Sequence, residues 1–244
     1  AGDYLADFPY AAYVPKTVTP EPRTGNPPPR VTETAAGMIN AIGLENPGVE
    51  AFVAGLPALA RLRQPVIVSV GGNEAAQYAA VVRRIEDALA AGDPAPTVAG
   101  YVRGGLAIGS DPRATAEVTA TVRALTARAL VVKLTPNVTD VRPVASAAVE
   151  AGADAVSLVN TFRAMVLDRE TLRPFLGNRT GGLCGPAIKP IALRMVAEVA
   201  EALPGLPIVG MGGVMTGLDA LEFIACGATA VGVGAANFTG LEAP

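Results

Sequence analysis

The sequence predicts an α/β fold in which parallel strands alternate with covering helices, and three observations carry that prediction. From Gln64 onward, short apolar runs alternate regularly with longer stretches of helical period. The runs are rich in Val and close on Gly or Pro, as buried parallel strands do. One of them, Leu130-Val-Val-Lys-Leu-Thr-Pro136, is broken by a single lysine, Lys133. A lysine there is costly to bury unless an anion or acceptor receives it. It falls near the strand's C-terminal end, where α/β barrels place their active sites. The bland alternative is a lysine that reaches solvent from a strand end.

Taken in order, residues 1–9 form a polar, aromatic lead-in, and Ala11 to Val18 reads as a strand with Lys16 at its end. Pro20 to Arg30 holds five prolines and cannot be helix or inner strand. It is long for a connection, which marks a functional loop or a disordered linker. Residues 35–46 precede Pro47 and Gly48, and a helix follows to about Arg61. The alternation then gives a strand at Pro65–Val70, a helix at Ala75–Ala91, and a strand at Thr97–Val102. Next come a helix at Pro112–Ala127 with Asp111 as N-cap, the lysine strand at Leu130–Leu134, and a helix at Val141–Ala151. A strand at Ala155–Asn160 leads into a loop of more than twenty residues. A helix at Ala187–Leu203, a strand at Pro207–Gly210, a helix at Leu218–Ala225 and a strand at Ala230–Gly234 complete the series. Seven strands result. A TIM-type (β/α)8 barrel needs an eighth, with its place before residue 10, and no terminal helix follows the last strand. A flavodoxin-like open sheet has about five strands, too few for this alternation. One barrel over residues 1–244 fits the length, since about 250 residues is typical.

Composition narrows the chemistry. The net charge is −3 and no basic stretch is long enough to track nucleic-acid phosphates. No apolar run reaches the roughly 18 residues of a membrane helix, and no signal peptide is visible. Two cysteines, Cys184 and Cys226, make no disulfide framework, so a reducing cytoplasm is expected. The chain contains no histidine, which removes the usual general base, the Ser-His-Asp triad and histidine-ligated metal. Chemistry is left to Lys, Cys, carboxylates, hydroxyls or a cofactor.

The last two strands end in Gly210-Met-Gly-Gly213 and Gly232-Val-Gly-Ala-Ala236. Barrels often bind phosphate on the loops after strands seven and eight. The plainer alternative is two tight turns. No Gly-Lys-Ser/Thr follows the glycines, so this is no P-loop. Lys16, Lys133 and Asn160 at strand ends, with Asn40 in a loop, would project to one barrel face. Two lysines and two amides suit a planar, anionic, carbonyl-rich ligand, although a lone asparagine more commonly serves a turn or cap. Cys184 sits in a glycine-rich loop and could react, whereas Cys226 at a helix end suits packing.

Six stretches carry a resemblance. They are Lys16-Thr-Val-Thr-Pro-Glu-Pro-Arg-Thr-Gly-Asn-Pro-Pro-Pro-Arg30, Gly37-Met-Ile-Asn-Ala-Ile-Gly-Leu-Glu-Asn-Pro-Gly48, Val132-Lys-Leu-Thr-Pro-Asn-Val-Thr-Asp140, Ser157-Leu-Val-Asn-Thr161, Gly181-Gly-Leu-Cys-Gly-Pro-Ala-Ile-Lys-Pro190 and Gly210-Met-Gly-Gly213. In these, and in their order, the chain resembles the FMN-binding catalytic subunit of the class 1B dihydroorotate dehydrogenases. The resemblance implies a TIM barrel with FMN at its C-terminal face, oxidising dihydroorotate to orotate in pyrimidine biosynthesis. It implies that Lys16 and Asn40 contact substrate or the flavin edge, and that Asn160 and Thr161 hold the pyrimidine. Lys133 would stabilise the anionic reduced flavin from beside a ring carbonyl. Gly185, Gly212, Gly213, Gly234 and Ala235 would cradle the FMN phosphate and ribityl chain. A hydride would leave for the flavin while a base takes a proton from the adjacent carbon. A homodimer is implied, paired with a subunit that carries FAD and an iron–sulfur cluster. Two distant cysteines cannot themselves hold such a cluster.

The resemblance has gaps. The family carries its catalytic base, a cysteine in class 1B, in an Asn-x-Ser-Cys-Pro-Asn segment before a Val-basic-Gly-Gly stretch. Here Val102-Arg-Gly-Gly-Leu-Ala-Ile-Gly109 follows directly on Val98-Ala-Gly-Tyr101, so the base loop is absent between Tyr101 and Val102 and the catalytic base is unassigned. The first strand, part of the fourth and the last helix are also missing, and Ala235 stands where the family usually has threonine. Either these segments belong to a longer chain or the gene has lost them. Such losses would leave open sheet edges and bare apolar surface, which favours the longer chain. Cys184 is a weak substitute base. Three alternatives remain: dihydropyrimidine dehydrogenase, a related FMN barrel; a tRNA-dihydrouridine synthase, which would want a basic face for RNA; and a flavin-binding remnant without turnover.

Overall fold

The structure is a computed structural model that describes residues 10–92, 95–103 and 108–238, with the backbone alone at 99, 102, 103 and 108. The expected lead-in, the missing first strand before residue 10, Gly104 and Gly105, and the chain end from 239 lie outside the described residues.

Among the described residues, ten strands and seven helices follow one another. They are β1 (Val31–Thr34), β2 (Gly37–Asn40), α1 (Gly48–Ala54), α2 (Leu56–Leu59), β3 (Val66–Val70), α3 (Ala75–Ala90), β4 (Val98–Arg103), α4 (Pro112–Arg123) and β5 (Ala129–Lys133). Then come α5 (Arg142–Glu150), β6 (Ala155–Leu158), β7 (Phe162–Ala164), β8 (Gly181–Cys184), α6 (Lys189–Ala202), β9 (Ile208–Met211), α7 (Gly217–Ala225) and β10 (Ala230–Gly232). The chain divides into two compact units: residues 1–23, 46–132 and 147–154, and residues 24–45, 133–146 and 155–244.

In the first unit β3, β4 and β5 run parallel, with Tyr101 of β4 opposite Val68 on one side and Leu130 on the other. Every residue of β3 except Ile67 is buried, the pattern of a strand covered on both faces. α3 buries Tyr78, Val81, Val82 and Ile85, spaced for one helical face, in a core with Val66, Val68, Val70 and Leu130. Asp111 caps α4, accepting from the N–H groups of Arg113 and Ala114. The strand expected at Ala11–Val18 is reduced to two parallel bridges, Tyr13 with Val66 and Val18 with Val70. Pro15 between them has no N–H to complete a ladder. Strand β4 crosses Tyr101–Val102 without a break, in register with both neighbours.

In the second unit β6, β9 and β10 run parallel, with Ser157 opposite Val209 and Val231 opposite Gly210. Thr216 and Asp219 form a reciprocal capping box at the start of α7. Two expectations are corrected here. Residues 31–40 form an antiparallel hairpin, so Asn40 ends strand β2 rather than lying in a loop. The long loop after Asn160 holds β7 and β8, and the antiparallel order is β1-β2-β8-β7.

Candidate active site

The site is built at the strand ends of the second unit. Lys133 closes β5 and is half-buried. Among the described residues its ammonium has no ion pair, and burial alone pushes its pKa below the ordinary lysine value. The next residue, Leu134, donates its N–H to the Ser157 carbonyl at 2.8 Å and accepts from the Asn160 N–H at 3.1 Å. Lys133 closes β5, and Asn160 lies beyond the end of β6, which stops at Leu158 rather than at Asn160 as expected. The Leu158–Val159 peptide is cis. The Asn160 Oδ1 accepts from the Thr161 N–H at 2.8 Å, which leaves its amide nitrogen for a ligand.

Thr161 and Asn40 meet on β8. Asn40 is opposite Gly182 in the ladder and reaches its carbonyl at 3.5 Å, the limit of a hydrogen bond. A Cβ on Gly182 would lie 2.1 Å from the Thr161 Oγ1, so only glycine lets that hydroxyl approach. Cys184 lies in β8 rather than in a loop, half-buried, with its thiol directed at the Met38 carbonyl 3.6 Å away. Burial pushes its pKa up, the wrong direction for a thiolate base.

Glycines shape the adjoining turns. Gly213 has a positive φ, and a Cβ there would meet the Gly185 carbonyl at 2.7 Å; Gly212 packs against Val159 and Ile188. Gly234 differs. A Cβ there would meet nothing among the described residues and its φ is outside the left-handed region, so no described neighbour requires glycine. Ala235 opens the short 3-10 turn Ala235–Phe238. Lys189, beside Gly213, is no free cation. It is held by Asp219 and by Glu222 at 2.6 Å, and both carboxylates raise its pKa. Asp219 in turn accepts from the Met215 and Thr216 N–H groups, which fixes the turn after β9, and the lysine holds its carboxyl well below the usual range.

Sequence reasoning missed Asn137. Its Nδ2 donates to the Thr135 Oγ1 and the Thr161 carbonyl, at 2.9 and 3.0 Å, while its Oδ1 accepts from the Arg163 N–H at 2.7 Å. The available signal was an amide directly after Pro136, where a strand end turns. Lys16 belongs to the first unit. It lies between the two bridges to β3 with its side chain exposed and, among the described residues, without an ion pair. No cluster of three or more His, Cys, Asp or Glu among the described residues could hold a metal, and no described helix is long and apolar enough to cross a membrane.

Comparison with known proteins places this arrangement. The dihydroorotate dehydrogenase family model matches residues 3–244. The dihydroorotate dehydrogenase B (NAD(+)) catalytic subunit of Desulforudis audaxviator (strain MP104C) is 53% identical over 229 residues, covering 93% of this chain and 74% of that protein. The subunit of the same name from Geotalea uraniireducens (strain Rf4) is 47% identical over 246 residues, 97% of this chain and 78% of that one. Among solved structures, dihydroorotate dehydrogenase from Eimeria tenella in complex with ferulenol gives a TM-score of 0.72 at 23% identity, covering 91% of this chain and 68% of that chain. That likeness speaks for the fold alone, the α/β barrel class expected from the alternation. The chain belongs to the dihydroorotate dehydrogenase family.

Proposed function

We propose that this chain oxidises dihydroorotate to orotate on bound FMN, as the catalytic subunit of an NAD-linked dihydroorotate dehydrogenase of pyrimidine biosynthesis. The observation that carries the reading is Lys133, a half-buried lysine at a strand end near Asn160 whose ammonium has no ion pair among the described residues. A partly desolvated cation without an ion pair suits an anionic or carbonyl-rich ligand. Gly234 fits the same ligand, since open space at a position free to carry a side chain leaves room for close approach. When bound, FMN supplies the hydride acceptor. The protein's own part is placement and polarisation. Lys133 offers positive charge to a ring carbonyl, Asn160 and Thr161 hold the pyrimidine with Asn40, and Gly185, Gly212, Gly213, Gly234 and Ala235 line the phosphate and ribityl chain. Lys16 offers a second cation to the substrate or flavin edge. The two relatives' name, catalytic subunit, supports a separate electron-transfer partner. The proposal extends to a partner bearing FAD and an iron–sulfur cluster, and to a homodimer of catalytic chains in the cytoplasm.

The sequence supports a second reading, a flavin-binding chain without turnover. No Asn-x-Ser-Cys-Pro-Asn segment stands before Val102, where the family carries its base. A single experiment separates the readings. The FMN-loaded protein is mixed anaerobically with dihydroorotate, and absorbance at about 450 nm is followed. Rapid bleaching is expected, with none from dihydrouracil. Bound FMN that dihydroorotate leaves oxidised establishes the second reading, and bleaching by dihydrouracil instead points to dihydropyrimidine dehydrogenase.

A further inference from the structure

We propose that Ser157 is a positioning residue whose hydroxyl holds the Lys133 ammonium toward the flavin ring. The inference rests on the flavin reading above and goes beyond it to a residue that the reading does not use. Ser157 lies in β6, is 1% exposed, and its Oγ has no hydrogen-bond partner. A buried hydroxyl without a partner is uncommon and costly.

Its neighbour explains it. The hydrogen bond from the Leu134 N–H to the Ser157 carbonyl sets Lys133 beside Ser157 in a parallel ladder, and ladder partners project to the same face. The register on the other side identifies that face. Leu158 is opposite Gly210, and a Cβ on Gly210 would meet Phe223 of α7 at 2.6 Å. Leu158 therefore points to the helix layer, while Ser157, opposite Val209, points away from it, and Lys133 with it. Two adjacent polar side chains thus share the strand-lined face, and among the described residues neither has a partner.

The donor count fits. An ammonium carries three N–H donors and no acceptor, whereas a hydroxyl can accept from it and still donate onward. Once one Lys133 N–H goes to the ligand, the Ser157 Oγ can take a second. That fixes a flexible four-carbon side chain in one direction. An ammonium held in place stabilises developing charge without first reorganising.

The test uses sulfite as a probe of positive charge at the flavin. The sulfur lone pair forms a bond to flavin N5, and the displaced electron pair moves into the ring's N1–C2 carbonyl edge. Adduct affinity therefore reports the cation beside that edge, independently of dihydroorotate turnover. In the FMN-loaded protein, Ser157→Ala is expected to raise the sulfite Kd about fivefold to tenfold, the loss of one hydrogen bond to a charged group. The FMN Kd is expected to stay unchanged, and the Tm of the flavin-free protein to hold or rise, since a buried hydroxyl without a partner is removed. In a Lys133→Met background the same substitution should leave the sulfite Kd where it is, because the hydroxyl acts through the lysine. Ser157→Thr, which keeps the hydroxyl, should retain the wild-type value. An unchanged Kd in Ser157→Ala, or an equal loss in both backgrounds, overturns the proposal. Should Ser157→Ala take up no flavin, Ser157→Thr decides: a wild-type Kd supports the proposal and a raised one overturns it. A wild-type chain that takes up no FMN instead defeats the flavin reading. Bleaching by dihydroorotate together with unaltered sulfite affinity defeats the role of Ser157 alone.

Discussion

The first unit surrounds Glu86 with donors, and the second gives Lys133 no carboxylate acceptor among the described residues. The Glu86 carboxylate accepts from the Tyr101 hydroxyl at 3.0 Å, the Thr126 hydroxyl at 2.7 Å and the Arg128 Nε at 3.1 Å, and Arg128 also donates to the Val98 carbonyl. Burial and then the Glu86 charge push the Tyr101 phenol well above its ordinary pKa, so it stays a donor. Every charge in that cluster is answered from within the chain. Lys133 is half-buried without an ion pair and Ser157 is buried without a hydrogen bond, both among the described residues. The lesson is that a saturated polar network reads as architecture, whereas an unsaturated one at strand ends reads as a place for a ligand.

Replacing Lys133 tests this contrast most severely. Lys133→Met should slow flavin reduction by dihydroorotate by about a hundredfold or more, followed in a stopped-flow instrument. The flavin-free protein should respond in the opposite sense. The lysine pKa is lowered on folding from 10.5, so the unfolded chain binds more protons between the folded value and 10.5, and stability rises with pH through that window. Lys133→Met should remove that slope and raise the Tm at neutral pH. A lower Tm would show that the ammonium is compensated after all. Glu86→Ala should behave as its mirror image. Stripping the acceptor from three donors should cost about 2–4 kcal/mol in urea unfolding, with no change in FMN affinity. If flavin binding falls as well, the two regions are not separable. The smallest effect belongs to Asp111→Ala, which removes a helix cap worth about 1 kcal/mol and should leave both flavin properties untouched.

The parallel part of the fold was legible because its signals are local. α3 declares itself by the spacing of Tyr78, Val81, Val82 and Ile85, and Asp111 caps α4 in the manner its position before Pro112 implies. The antiparallel sheet was not legible. Its strands are three or four residues long, two of them begin with glycine, and Met38 pairs with Cys184 far along the chain. No periodicity in so short a run can reveal its partner. The candidate site divides the same way. Lys133 stood out as a charge in an apolar strand, and Asn160 as a polar strand end. Ser157 could not be singled out, because a serine in a strand shows neither its burial nor its lack of a partner until the register is known.

Asn137 joins two loops through a group with a direction. Its amide nitrogen faces a carbonyl oxygen, that of Thr161, and its amide oxygen faces an N–H, that of Arg163. A carboxylate of nearly the same volume would set oxygen against oxygen at the first contact, and a leucine would serve neither. The join between the Thr135 turn and the start of β7 is therefore written in the polarity of one carboxamide rather than in its size, as a key can be cut on one edge only.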